Sequence, residues 1–165
     1  MLNQNSKIFK QWHTKRIQLI KSLTTMNEIF NLISTLIYIL VGIICLFMAY
    51  KSIFSKKFLP FHEEAAGTSW ESIDARLQNV IITILRISGL GFLTIFLILA
   101  VFSIINYFKP DPVIKFSIPA ISLIYCFGLF LFNFQLFKQT KAKTPWLGSL
   151  IAMIMILAGF IISIL

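Results

Sequence analysis

Charge is scarce in this sequence. Only 13% of its 165 residues are charged, and only six are acidic. Water-soluble domains carry roughly 25% charged residues, so a solvated globular surface is excluded for most of the chain. There are two histidines and two cysteines. Cys45 and Cys126 form no Cys-x-x-Cys pair and no zinc-finger spacing. His62 is followed by Glu63 but lacks the second histidine of a His-Glu-x-x-His zinc site. No metal or other cofactor is therefore expected. A Ser69, His62 and Asp74 trio can be drawn, yet polar loops often supply such a set, and no catalytic residue is assigned. No internal repeat is visible, and no cleavable leader is expected, because the first apolar run begins only at Ile29.

What the sequence does have is apolar length. The hydrophobic fraction is 58%, gathered into four blocks at about 29–50, 80–107, 113–137 and 145–165. A helix needs about 20 apolar residues to cross the hydrocarbon layer. The blocks are too continuously apolar for barrel strands, which alternate. The expected fold is an all-α integral membrane four-helix bundle. Two regions follow: a basic amphipathic segment over 1–28, and a transmembrane domain over 29–165.

In the first region Ile8, Phe9, Trp12, Leu19, Leu23 and Met26 share much of one helical face. Lys7, Lys10, Lys15 and Lys21 mostly fall elsewhere, although Arg16 interrupts the apolar side. That pattern fits an interfacial helix on an anionic surface. The formal net charge of +9 is read the same way, as basic flanks meeting lipid head groups. No nucleic-acid partner is expected. The expected partners are the lipid bilayer and either another copy or another membrane protein.

Basic residues next to spans mark the cytoplasmic side, but here the count ties. Lys7, Lys10, Lys15, Arg16, Lys21, Lys109 and Lys115 fall on one side. Lys51, Lys56, Lys57, Arg76, Lys138, Lys141 and Lys143 fall on the other. The first helix usually dominates, which places both termini in the cytoplasm of a bacterial inner membrane.

Small and polar residues recur at steps of three or four in the first block: Asn31, Ser34, Thr35, Tyr38, Gly42, Cys45 and Ala49. The fourth block repeats the device with Gly148, Ala152, Met155, Gly159 and Ser163. Such stripes let helices approach closely when no hydrophobic force drives them together. Ser34, Gly42, Gly148, Ala152, Gly159 and Ser163 are the expected packing positions. Thr144 is placed as the cap of the fourth helix, with Pro145 in its first turn. In the third block Ser122, Tyr125, Cys126 and Asn133 are the inward candidates. The tight Lys109-Pro110-Asp111-Pro112 turn predicts that the second and third helices are neighbours.

The segment from Leu59 to Arg86 holds four of the six acidic residues. Thr68 with Glu71 matches a capping box, so the second helix is expected to start near Ser69 and to run roughly 58 Å. Trp70, Ile73, Leu77, Ile81 and Ile84 share one face, with Arg76, Asn79, Thr83 and Arg86 broadly opposite. Arg86 then lies either about 9 Å into the bilayer, where it needs polar partners, or at the head groups, where it snorkels. A polar pocket built from His62, Glu63, Glu64, Asn79, Thr83 and Arg86 is the expected site.

The stretch His62-x-x-Ala65-x-Gly67-x-x-Trp70, with Leu77-Gln78 and the run Arg86-Ile87-Ser88-Gly89-Leu90-Gly91, resembles uncharacterised small bacterial four-helix membrane proteins. The resemblance covers about a quarter of the chain and implies a membrane fold without implying a chemistry. On function, the leading expectation is a non-enzymatic bundle that packs with itself or with a partner. A small transporter or channel subunit with a polar pocket near Arg86 is the first alternative. A membrane enzyme on a lipid-like substrate is the second.

Overall fold

The computed structural model describes the backbone of residues 2–165, and side chains from Trp12 onward except Thr14. Every regular element among the described residues is helical. Four helices are long and apolar enough to cross a membrane. Backbone hydrogen bonds closed within each helix are what a hydrocarbon solvent demands.

The first helix, α1, spans Leu2–Ile53. It has no break near residue 28, so the N-terminal segment and the first span form one helix about 78 Å long. Trp12, Leu19, Leu23 and Met26 are exposed along its projecting part. Lys7, Ile8, Phe9 and Lys10 lie outside the described side chains. A short helix, α2, spans Pro60–Ala66 in the first loop. Proline opens it, where no backbone donor is needed. Gly67 ends it with φ +62°, a left-handed conformation that glycine adopts without strain.

The second span begins later than a capping box at Thr68 predicts. Trp70–Ser72 forms a 3-10 turn instead, and the Thr68 hydroxyl pairs with that of Ser72 at 2.7 Å. Asp74 is the true cap, accepting from the Arg76 amide at 2.9 Å. From there α3 runs over Ala75–Phe96, passes through a π-helical segment at Leu97–Phe102, and ends as α4, Ser103–Phe108. The third span is α5, Pro112–Thr140, capped by Asp111 and with Pro119 buried inside it. The fourth is α6, Trp146–Ile164. Thr144 does not cap it. Its hydroxyl donates to the Asn133 carbonyl at 2.8 Å and so ties the third loop to α5.

Helix α1 is the hub, packing against α3 on one side and α6 on the other, while α6 packs against α5. The pairing of α1 with the second span is antiparallel. Gly42 faces Leu99 and Ala100, and Gly89 faces Ser52 and Ile53. The second and third spans meet mainly through the π segment and α4. They are neighbours near their connecting turn and diverge toward the first loop. Helix α2 touches α5 on that side and sits across the divergence.

The packed centre consists of Val41, Cys45, Ile95, Leu99, Ile118, Cys126 and Ile156 with Tyr38. Both cysteines are free and buried. Outward residues such as Phe47, Ile124, Phe132 and Ile151 are more than half exposed. A surface this apolar suits lipid contact and would drive association in water.

Candidate functional site

The divergence between α3 and α5 leaves space under the first loop. Three adjoining cavities occupy it. The outermost, about 380 Å³, opens sideways past Ile81, Ile84, Ala66 and Leu136. The middle one, about 180 Å³, shares His62, Leu85 and Ser88 with it. The innermost, about 140 Å³, reaches Cys45, Cys126 and Ala152. It shares Met48, Phe92, Leu129, Asn133 and Pro145 with the middle one. Together they make a bent, mostly apolar groove from the membrane-facing side of the bundle to its centre.

His62 stands where the outer and middle cavities meet. It is half-buried, packed on Phe61 with ring centroids 4.0 Å apart. Its Nδ1 is buried and has no hydrogen-bond partner. Burial pushes the imidazole below its ordinary pKa, because the charged form loses hydration. At neutral pH the ring is uncharged and offers one donor and one acceptor. Ser52, Ser88 and Asn133 line the middle cavity with it, and the Asn133 amide donates to Leu129 O at 2.8 Å.

The seat of α2 explains the loop pattern position by position. Ala65 is small enough to line the outer cavity. Gly67 supplies the left-handed turn. Trp70 packs edge-on against Phe58 at 5.1 Å. The Gln78 amide reaches back to Trp70 O at 2.8 Å and Ile73 O at 3.1 Å, which locks the loop to the start of α3. Glu64 accepts from the Lys143 amide at 3.2 Å, joining α2 to the third loop. In the following run, Gly89 lets α1 approach, since an added Cβ would lie 2.6 Å from Ile53 Cγ1. Gly91 makes room for the Tyr125 hydroxyl, 2.9 Å from where its Cβ would be.

The six residues expected to form one polar pocket do not converge. His62 lies in the groove, and Glu64 is spent on the third loop. Glu63 is exposed and its carbonyl terminates α2 at Gly67. Asn79, Thr83 and Arg86 are exposed on the outer face of α3, and the Thr83 hydroxyl donates to Asn79 O at 2.8 Å. Arg86 lies one turn before Gly89, which is already level with the last residues of α1. That places it at the rim of the bundle, where a long basic side chain reaches water. The buried residues of α3 are Leu85, Gly89 and Ile95; Ile95 lies in line with Leu77 on the expected apolar face, while Leu85 and Gly89 fall between the two expected faces.

The packing positions also separate. Ser34 is buried, Gly42 meets Ala100, and Gly159 meets Tyr38, with a Cβ there only 2.9 Å from the ring. Ala152 packs on the central cluster. Ser163 donates to Phe160 O at 2.7 Å. Gly148 has nothing within 4 Å of a built Cβ. The groove itself escapes sequence reasoning, since its walls are ordinary apolar residues. The signal that pointed toward it was His62 amid Pro60, Phe61 and Trp70. Among the described residues no cluster of histidine, cysteine and carboxylates could hold a metal ion. Comparison with protein-family models, curated proteins and solved structures yields no match.

Proposed function

We propose that this protein is a non-enzymatic membrane bundle that binds a single-chain amphiphile, such as a fatty acid, drawn sideways from the bilayer. The observation that carries this reading is the groove between α3 and α5. It opens beside Ile84, an exposed residue of the lipid face. Its walls are mostly apolar, with the neutral His62 at the turn of the path beside Ser88. Binding sites for small molecules are mostly apolar with a few placed polar groups, and an acyl chain with one polar end matches that lining. The chain enters toward Cys126 and Ala152, and the polar end stays at His62 under α2. The protein resides in a bacterial inner membrane with both termini in the cytoplasm, so the groove serves the outer leaflet.

Photo-crosslinking tests this. A diazirine-bearing palmitic acid is incorporated into vesicles holding the purified protein, and labelled peptides are mapped. Labels are expected on the segments carrying Phe92, Leu129 and Leu136, and Ala65→Trp, which fills the mouth, should abolish them. Labels confined to outward residues such as Phe47 and Ile124, unchanged by Ala65→Trp, refute the reading. A cysteine placed at Ser55 tests the orientation; labelling by an impermeant maleimide only after permeabilisation reverses it.

A small transporter is the second reading. One observation favours it: a separate cavity enters from the opposite end. It stops about 10 Å short of the groove, counted along α1 from Tyr38 to Cys45. Net flux of a solute across proteoliposomes would favour this reading over binding alone.

A further inference from the structure

The cavity at the other end has a different chemistry. It measures about 370 Å³ and lies where α1, α4, α5 and α6 meet beside the Pro110-Asp111-Pro112 turn. Its walls carry Asn31, Ser34, Thr35 and Tyr38 from α1, Ser103 from α4 and Lys115 from α5. Many hydroxyls in this bundle satisfy themselves, although the buried Ser122 of α5, away from this cavity, does not. Thr24, Thr25, Thr83, Thr94 and Thr140 each donate to the carbonyl four residues back. Around this cavity Ser163 bonds locally to Phe160 O, but two buried hydroxyls do not. Ser103 is 3% exposed and its Oγ has no partner. Tyr38 is 5% exposed. Its hydroxyl has Ser34 beside it but no partner at hydrogen-bonding geometry. Buried polar groups are normally paired, so two orphans on one cavity floor mark a missing partner.

The sign of the charge narrows that partner. Lys115 is half-buried on the wall. The single carboxylate on the rim, Asp111, is occupied: its Oδ1 accepts from the Ile114 amide at 3.0 Å. The Asn106 carbonyl oxygen is likewise taken, by the Asp111 amide at 3.0 Å, which leaves its NH₂ as a donor. Around this space stand one ammonium, two amides and several hydroxyls, with the Asp111 carboxylate turned to the N-terminus of α5 as its cap. A donor set spread over three helices suits a group with several acceptor oxygens better than a monatomic ion. The volume is about ten times a water's share of the liquid, enough for such a group and what it is attached to.

We propose that this vestibule binds a phosphate-bearing anion, held by Lys115 and Asn31 at the wall and by Ser103 and Tyr38 at the floor. A free phosphate and a lipid head group share this chemistry. Two measurements on the full chain in neutral maltoside micelles separate them. Inorganic phosphate is titrated with calorimetric detection. Phosphatidylglycerol and diacylglycerol are compared as bound lipids by native mass spectrometry. Saturable heat with inorganic phosphate supports a soluble phosphate. Phosphatidylglycerol binding at least tenfold tighter than diacylglycerol, without that heat, supports the head group. In either case Lys115→Gln and the near-isosteric Tyr38→Phe should each weaken binding tenfold or more, and Lys138→Gln, an exposed residue at the other end of α5, should leave it unchanged. No response to either phosphate source overturns the proposal. Wild-type affinity in Lys115→Gln overturns it equally.

Discussion

Replacing Gly89 with alanine should loosen the bundle, and the size of the effect follows from what the new methyl meets. Its Cβ would lie 2.6 Å from Ile53 Cγ1, 3.0 Å from Ile53 N and 3.1 Å from Ser52 Cβ. The Cγ1 atom can swing away, but the backbone nitrogen cannot. Relief requires α1 and α3 to separate by about half an ångström, which forfeits roughly a quarter of the dispersion energy at each affected contact. Overpacking of this kind costs about 1–3 kcal/mol. Alanine returns about 1 kcal/mol of helix propensity, so the net loss is about 0–2 kcal/mol, at most roughly 30-fold in the folding equilibrium. Gly128→Ala and Gly148→Ala are the controls, since nothing lies within 4 Å of a Cβ at either. They should be neutral or gain up to about 1 kcal/mol. Reversible unfolding in mixed maltoside and dodecyl sulfate micelles, followed by tryptophan fluorescence, measures all three. Equal stability of Gly89→Ala and Gly148→Ala would refute the reasoning.

Three further outcomes follow from the first loop. Arg86 is exposed on α3, so Arg86→Leu should change stability by less than about 0.5 kcal/mol in the same assay; a loss of several times that would show a buried partner. Gln78→Leu removes the two bonds to Trp70 O and Ile73 O and should cost about 1–3 kcal/mol locally, read as faster tryptic cleavage at Arg76 with the spans still protected. Burial lowers the His62 pKa below 6.5. The unfolded loop therefore takes up its proton first as pH falls, and the seat of α2 is lost as pH drops through the folded value. Hydrogen-exchange protection over Pro60–Ala66, taken relative to the intrinsic rate at each pH, should fall below pH 6.5, and His62→Phe should remove that dependence.

Much of the fold is legible in the sequence because a run of apolar residues as long as Pro145 to Leu165 has one solution in lipid. The α1 stripe is legible for a related reason. Ser34, Tyr38, Gly42, Cys45 and Ala49 recur at helical spacing, and all five are buried. Periodicity fails where the deciding contact is not periodic. Thr68 with Glu71 and Asp74 are both valid cap signals, and the choice between them rests on Gln78 reaching eight residues back to Trp70 O. Pattern gives Arg86 a face but no depth; depth comes from where α1 ends, against Gly89. Gly148 and Gly91 look alike in sequence. They differ because Tyr125 arrives at one and no atom arrives at the other. The groove is illegible for the same reason, as an empty space leaves no residue to mark it.

The π segment at Leu97–Phe102 is the other feature no pattern announces, and it lies between the two cavities. It contains Leu99, fully buried, and Ala100, which packs on Gly42. A π segment in an α-helix holds about one residue more than the turns require. That extra residue rotates everything after it by about 100°, one step of a helix with 3.6 residues per turn. Ser103 and Asn106, which line the polar cavity, follow this segment, while Leu85 and Ile95 of the core precede it. Deleting Val101, which is exposed, should therefore let the segment relax to α-helix and keep every later side chain near its present face. Deleting Ile87, more exposed still, from regular α-helix should instead turn its neighbours out of register and disrupt packing against α1. The first variant should elute as a monodisperse, trypsin-resistant species in maltoside, and the second should not. If both deletions are equally damaging, the extra residue does not set the register between the two ends of the bundle.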